Sequence, residues 1–172
     1  MPSPPISARV ITCSDSATRG ERVDTAGPAI RQLLERNGFA VDRVEIVPDS
    51  VQEISDAIAS AIDLGGCRIV VTTGGTGIAP RDVTPEATMR VADRRIDGFG
   101  ELMRLRSLEK TPLAPLSRAQ AATRGDALIV NVPGSPKGAV ENLEAVLYLF
   151  SHTLELLAGG RVEHHPGASE RP

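Results

Sequence analysis

Three aspartates and two glycine-bearing turns are the residues of this chain best suited to do chemistry together. Asp15 lies in Ser14-Asp15-Ser16, Asp49 in Pro48-Asp49-Ser50 and Asp82 in Arg81-Asp82-Val83. The turns are Gly74-Gly75-Thr76-Gly77 and Pro133-Gly134-Ser135-Pro136. Glycine lets backbone N–H groups approach a phosphate with no Cβ in the way. The turn before Pro136 offers the positive end of a helix. Carboxylates repel phosphates unless a cation lies between them. A magnesium ion held by one or two carboxylates plus phosphate oxygens resolves the conflict. The combination points to nucleotide phosphate chemistry. The metal polarises the phosphoryl group and the backbone donors hold developing charge.

Each signal has a plainer reading. A Gly-Gly-Thr-Gly run met by itself is more often a tight turn than a phosphate loop. Asp49 alone reads as a residue ahead of the helix capped by Ser50, and Asp82 beside Arg81 as a surface ion pair of small energetic value. Asp24 reads most simply as a helix-start residue. The chain has neither Gly-x-x-x-x-Gly-Lys-Ser/Thr nor Gly-x-Gly-x-x-Gly. Its histidines are His152 and the pair His164 and His165, so no Ser/His/Asp triad is available.

The elements that must position these residues alternate. Ala8–Cys13, Val41–Val47, Arg68–Thr73 and Asp126–Val132 read as strands. Helices are expected from Thr25 to Asn37, with Pro28 in the first turn and Gly38 as its stop, and from Ser50 to Gly65. Ser50-Val51-Gln52-Glu53 has capping-box spacing. Thr84-Pro85 opens a further helix with Thr84 as its cap, and Phe99–Leu108 is helical. From Pro136, capped by Ser135, the stripe Val140, Leu143, Leu147, Phe150, Leu154 and Leu157 predicts the longest helix. Apolar strands alternating with helices imply an α/β fold, a mostly parallel sheet covered on both faces. In such sheets ligands bind outside the carboxyl ends of the strands, where all four polar clusters would converge on one rim.

Composition sets the outer limits. A chain of 172 residues fits one domain. Residues 1–7 read as a flexible arm, 8–158 as the domain and 159–172 as a flexible tail. Aromatics are 2% of the chain and the net charge is −3, which disfavours base-stacking platforms and a basic nucleic-acid face. Cys13 and Cys67 are far apart with no partner motif, and read as buried reduced thiols rather than zinc ligands. With no secretory signal and no apolar run of membrane length, a cytoplasmic protein is expected.

The run Thr72-Thr73-Gly74-Gly75-Thr76-Gly77-Ile78-Ala79-Pro80-Arg81-Asp82-Val83-Thr84-Pro85-Glu86-Ala87-Thr88 closely resembles the signature of the molybdenum cofactor biosynthesis family, which contains molybdopterin adenylyltransferases. Further blocks follow in order: Ser14-Asp15, Gly20-Glu21-Arg22 and Asp24-Thr25-Ala26-Gly27; Val47-Pro48-Asp49; Gly98 to Arg104; Leu116-Ser117-Arg118; and Asn131 to Gly138. The resemblance covers about residues 8–158. It implies a three-layer α/β/α domain assembled as a homotrimer, or in some relatives a hexamer. It also implies a magnesium-dependent reaction of ATP with molybdopterin, giving adenylylated molybdopterin and pyrophosphate. Other molybdenum cofactor biosynthesis proteins would be its partners. By resemblance, Asp49 and Asp82 are the critical acids and metal ligands. Ser14, Asp15, Gly74, Gly75, Thr76, Gly77, Gly134 and Ser135 would line the pterin and nucleotide pocket.

The residues fit that implied reaction. The nucleophile, a phosphate oxygen, is already ionised near neutral pH. The protein's work is therefore positioning and charge stabilisation, and no catalytic His or Lys is required. Two other readings stand beside it: a pterin-binding relative without catalysis, and a nucleotide hydrolase. The Leu- and Met-rich stretch from Phe99 to Leu116 either covers the core or lies between subunits.

Overall fold

The computed structural model describes residues 5–159. The sequence-based expectations for residues 1–4, for most of the tail and for the His164–His165 pair lie outside the described residues. β1 (Ser7–Cys13), β2 (Ala40–Val47), β3 (Ile69–Thr73), β4 (Arg94–Ile96), β5 (Gln120–Arg124) and β6 (Ala127–Val132) form one sheet in the order β2-β1-β3-β6-β5-β4. The strands β2, β1, β3 and β6 are mutually parallel, while β5 pairs antiparallel with both β6 and β4. Ser7, placed in the arm on sequence grounds, opens β1 and pairs with Ala40.

Alternation along the strands builds two cores. On one face Val10, Val71 and Val130 meet α2 (Ala26–Arg36), α5 (Asp97–Leu108), α6 (Pro136–Leu147) and α7 (Phe150–Leu157), through Ile30, Leu34, Met103, Leu143 and Phe150. On the other, Ile11, Val70 and Ile129 meet α3 (Val51–Asp63) and α4 (Thr84–Val91), through Ile54, Ile58 and Ala87. The result is the expected three-layer α/β/α sandwich. Its central strands are apolar on both faces because both are covered.

Three local expectations are corrected. The stripe beginning at Val140 is split between α6 and α7, and α3, at 13 residues, is longer than either. The break falls where the Leu149 N–H donates to the Val146 carbonyl at 3.0 Å, an i→i+3 turn that tightens the backbone. It delivers Phe150 into the core against the rings of Phe39 and Phe99, with centroids 5.9 and 6.4 Å away. Thr84 does not cap α4. It is the first helical residue, fully buried, and its hydroxyl donates to the Gly74 carbonyl at 2.8 Å. The capping box at Ser50 is half formed. The Ser50 hydroxyl accepts from the Glu53 N–H, while the Ser50 N–H is taken by the Pro48 carbonyl at 2.8 Å. The first strand does end at Ser14-Asp15-Ser16, as expected, and there Ser14 also caps a single turn, α1 (Asp15–Thr18).

The stretch from Phe99 to Leu116 serves the core in part. Phe99 and Met103 are buried, whereas Leu105, Leu108, Leu113 and Leu116 face outward.

Candidate active site

The chain leaves β1 for β2 on one side and later returns to β3 on the other. That reversal opens a crevice above the carboxyl ends of β1 and β3, the usual ligand position in such sheets. A cavity of about 270 Å³ occupies it. Its lining includes Ser14, Asp15, Asp49, Gly74, Gly75, Asp82 and Gly134.

The first two aspartates clasp each other's backbone. The Asp15 N–H donates to Asp49 Oδ2 and the Asp49 N–H donates to Asp15 Oδ1, both at 3.0 Å. The Ser14 N–H donates to the Val47 carbonyl at 2.9 Å, so the ends of β1 and β2 are locked together. Asp82 comes from the far wall. Its Oδ2 accepts from the Ala79 N–H at 2.9 Å, which is the carboxylate's observed role rather than an ion pair with Arg81.

The glycine turn is held by close approach. Gly74 has φ +100°, and a Cβ there would lie 2.3 Å from the Cys13 carbonyl oxygen. Gly75 has φ +63°, and its Cβ would strike the Thr84 hydroxyl. The Gly74 N–H is spent on the Val132 carbonyl at 3.2 Å and is therefore no phosphate donor. The N–H groups of Gly75, Thr76 and Gly77 meet no acceptor among the described residues. Thr73 Oγ1 donates to the Pro133 carbonyl at 2.7 Å, tying this turn to the second one.

Thr76 and Gly77 line a neighbouring groove of about 390 Å³, which shares Gly75, Asp82 and Gly134 with the cavity. Ser135 lines neither. It borders a third hollow beyond Pro133, where its hydroxyl accepts from the Gly138 N–H at 3.2 Å and caps α6.

Sequence reasoning missed the cations. Arg19, Arg22 and Arg81 also line the cavity. Arg19 is paired with Glu21 at 2.8 Å, while Arg22 and Arg81 have no carboxylate partner among the described residues. Asp24 does start a helix, as expected, accepting from the Gly27 N–H at 3.0 Å. It also accepts from the Thr12 hydroxyl at 2.7 Å and lines the cavity. The block containing Gly20 to Gly27 carried the only signal for this wall.

The electrostatics suit a cation. Burial pushes the Asp49 carboxyl above its ordinary range, and the like charges of Asp15 and Asp82 add to the effect. The Asp15 N–H and the charge of Arg81 oppose it. No group of three or more His, Cys, Asp or Glu side chains among the described residues is placed to hold a metal ion. A magnesium ion here would therefore need phosphate oxygens beside the carboxylates, which is its habit. Cys13 takes no part, since burial raises its thiol to about 12 although the Thr84 hydroxyl opposes the shift.

With this geometry in view, comparison with known proteins settles the kinship. The family model described as a probable molybdopterin binding domain matches residues 9–152. The chain belongs to that family. It is 40% identical over 158 residues to a molybdopterin adenylyltransferase of Helicobacter pylori, covering 90% of this chain and 89% of the relative. The molybdopterin adenylyltransferase of Escherichia coli is 42% identical over 139 residues, covering 80% and 71%. Among solved structures, the molybdopterin biosynthesis enzyme MoaB of Thermus thermophilus superposes with TM-score 0.84 at 49% identity, covering 90% of this chain and 97% of that one. The tungsten cofactor synthesizing protein MoaB of Pyrococcus furiosus gives 0.83 at 34% identity, covering 91% and 99%. The sheet and helices of this family member thus agree with the α/β fold expected from sequence. No helix among the described residues is long and apolar enough to cross a membrane.

Proposed function

We propose that this family member transfers the adenylyl group of ATP to the terminal phosphate of molybdopterin, releasing pyrophosphate, in molybdenum cofactor biosynthesis. The observation that carries the reading is the meeting of Asp15, Asp49 and Asp82 with Gly74, Gly75 and Gly134 in one crevice. The relatives named as adenylyltransferases at about 40% identity support it. A pterin phosphate oxygen attacks the α-phosphorus, and the bond from that phosphorus to the α,β-bridging oxygen breaks.

The residues present fit magnesium, and Asp49 and Asp82 are the side chains that would hold it. When bound, the ion supplies neutralisation of phosphate charge. The Gly75, Thr76 and Gly77 N–H groups donate to phosphate oxygens. Arg22 and Arg81, the unpaired guanidiniums of the cavity, take the departing pyrophosphate. No group needs to remove a proton from the nucleophile, so the reaction is governed by orientation within the crevice.

The same proposal places the protein in the cytoplasm as a homotrimer. Support comes from the free buried thiols and from the outward-facing Leu105, Leu108, Leu113 and Leu116. Size-exclusion chromatography with light scattering checks the assembly. The activity is tested by incubating the protein with ATP, magnesium and molybdopterin and following pyrophosphate. Release that depends on the pterin is expected. Tight pterin binding without pyrophosphate would instead make the chain a binding module, and AMP or phosphate release without pterin would make it a hydrolase.

A further inference from the structure

Asp82 sits on an exposed loop, residues 78–81 being open to solvent, yet its role demands a fixed carboxylate. Inside the loop, the Asp82 N–H donates to the Ala79 carbonyl and the Ala79 N–H donates to Asp82 Oδ2, both at 2.9 Å. The carboxylate also folds over Gly77, where a Cβ would come within 2.7 Å of Oδ2. These contacts are local and leave the loop as a whole untethered.

The tether comes from Arg118, which lines neither the cavity nor the groove. Its backbone N–H donates to the Thr76 carbonyl at 2.8 Å. Its Nε donates to the Gly77 carbonyl at 2.7 Å, and a terminal nitrogen donates to the Asp82 carbonyl at 2.5 Å. The other terminal nitrogen pairs with Glu86 in the first turn of α4. One planar guanidinium thus bridges both ends of the loop and the helix that follows it. Lysine cannot reproduce this, because an ammonium group lacks the rigid fork of donors.

We propose that Arg118 is a positioning residue for the reaction: by pinning Gly77 to Asp82 from the protein side, it sets the Asp82 carboxylate toward the cation and phosphates in the crevice. The inference rests on the functional reading above. Arg118 lies outside the cavity and the groove and acts through the loop and the start of α4.

The test compares the full-length wild type with Arg118→Met and Arg118→Lys. Hydrogen exchange over residues 77–83, with no substrate present, is expected to quicken at least 10-fold in the Met variant, while β5 and the end of α4 stay protected. The magnesium concentration that half-saturates pyrophosphate release, at saturating ATP and pterin, should rise at least fivefold. The Lys variant should fall between, and ethylguanidinium should restore part of the loss in the Met variant. Manganese binding in the presence of ATP, followed by electron paramagnetic resonance, should weaken in parallel, and it reads the site without turnover.

Unchanged loop exchange overturns the proposal. So does a Met variant whose thermal stability falls while its metal requirement and manganese affinity stay within twofold of wild type, since that marks a purely structural residue. If the wild type releases no pyrophosphate, the functional reading fails. Exchange and manganese binding then still decide whether Arg118 sets Asp82.

Discussion

Thr84→Val removes the hydroxyl that ties the glycine turn to α4 and also lies beside the Cys13 thiol. The substitution keeps side-chain shape and removes one donor. Thr84 is fully buried, and its hydroxyl is 2.8 Å from the Gly74 carbonyl, itself buried beneath the turn. Leaving that acceptor without its partner costs about 1–3 kcal/mol. For a domain of this size each kcal/mol lowers Tm by about 2–4 °C, so a central cost of about 2 kcal/mol predicts a fall of about 4–8 °C. Thr84→Ser is the control. It keeps the hydroxyl and loses one methyl group, about 0.8 kcal/mol of burial. Thermal melts followed by circular dichroism should rank wild type above Ser and Ser above Val. Turnover should follow the same order, with the Val variant down on the order of 10-fold, because small displacements of positioning groups are costly to rate. If the Val variant melts with the wild type, or if Ser and Val lose equal activity, the hydroxyl is not what holds the turn.

Asp49→Asn should abolish pyrophosphate release while raising Tm at neutral pH in the absence of metal. The sign follows from the raised carboxyl pKa: the folded state disfavours the charge, so stability declines as pH rises through the window between the unfolded and folded values, and the full penalty persists above it. The stabilising effect of Asn should therefore shrink as pH falls through that window, and a mutant less stable at pH 7.5 than at pH 4, relative to wild type, would contradict it. Wild-type activity at subsaturating metal should fall as pH drops through the same window, because protons compete with the cation for the Asp49 carboxylate, as a pH–rate profile will show. Gly77→Ala, at a position with ordinary negative φ, pushes a methyl group toward Asp82 Oδ2; it should lose most activity with a stability change below about 1 kcal/mol, read by denaturant titration. Phe150→Ala empties the site between Phe39 and Phe99 and should cost about 3–5 kcal/mol by the same titration.

Sequence patterns revealed the four parallel strands because β1, β3 and β6 are short, largely apolar runs bounded by turn residues and β2 carries β-branched residues among its charges. They did not reveal β4 and β5. Gln120-Ala-Ala-Thr-Arg124, lying between β6 and the edge strand β4, has only the small residues Ala121, Ala122 and Thr123 at its centre and so shows no apolar run, and Arg94-Arg95-Ile96 is too short to show alternation. β5 exists through pairing with β6, and β4 through pairing with β5, a tertiary cause that leaves little local trace. At the site, Asp15, Asp49 and the glycine turn were legible because strand-end chemistry is local. The roles of Arg22 and Arg81 were not, although both lie in blocks that carry the family resemblance, since an arginine's neighbours in sequence do not tell that its guanidinium will face a crevice. Thr84 was misread as a cap because a Thr-Pro pair signals a helix start, whereas its hydroxyl was drawn to the Gly74 carbonyl arriving from β3.

The crevice explains why the acids and the glycines must occur together. Where β1 and β3 diverge in their onward connections, the Gly74 backbone passes so close to the Cys13 carbonyl that no side chain fits. That closeness brings Gly75 into the same cavity as the Asp15–Asp49 clasp, with Thr76 and Gly77 on the adjoining groove that shares Asp82. Burial there, with the like charges of Asp15 and Asp82, disfavours the charged form of the Asp49 carboxyl. Left empty, the arrangement works against folding; filled by a cation and phosphates, the same charges and donors become complementary. It follows that magnesium with ATP should stabilise the wild type more than Asp49→Asn, and by a margin that widens with pH as the carboxylate ionises. Thermal melts from the ordinary carboxylate range up to neutral pH, with and without the pair, decide it, and equal ligand-induced shifts in the two proteins would break the link between the acidic cluster and the bound phosphates.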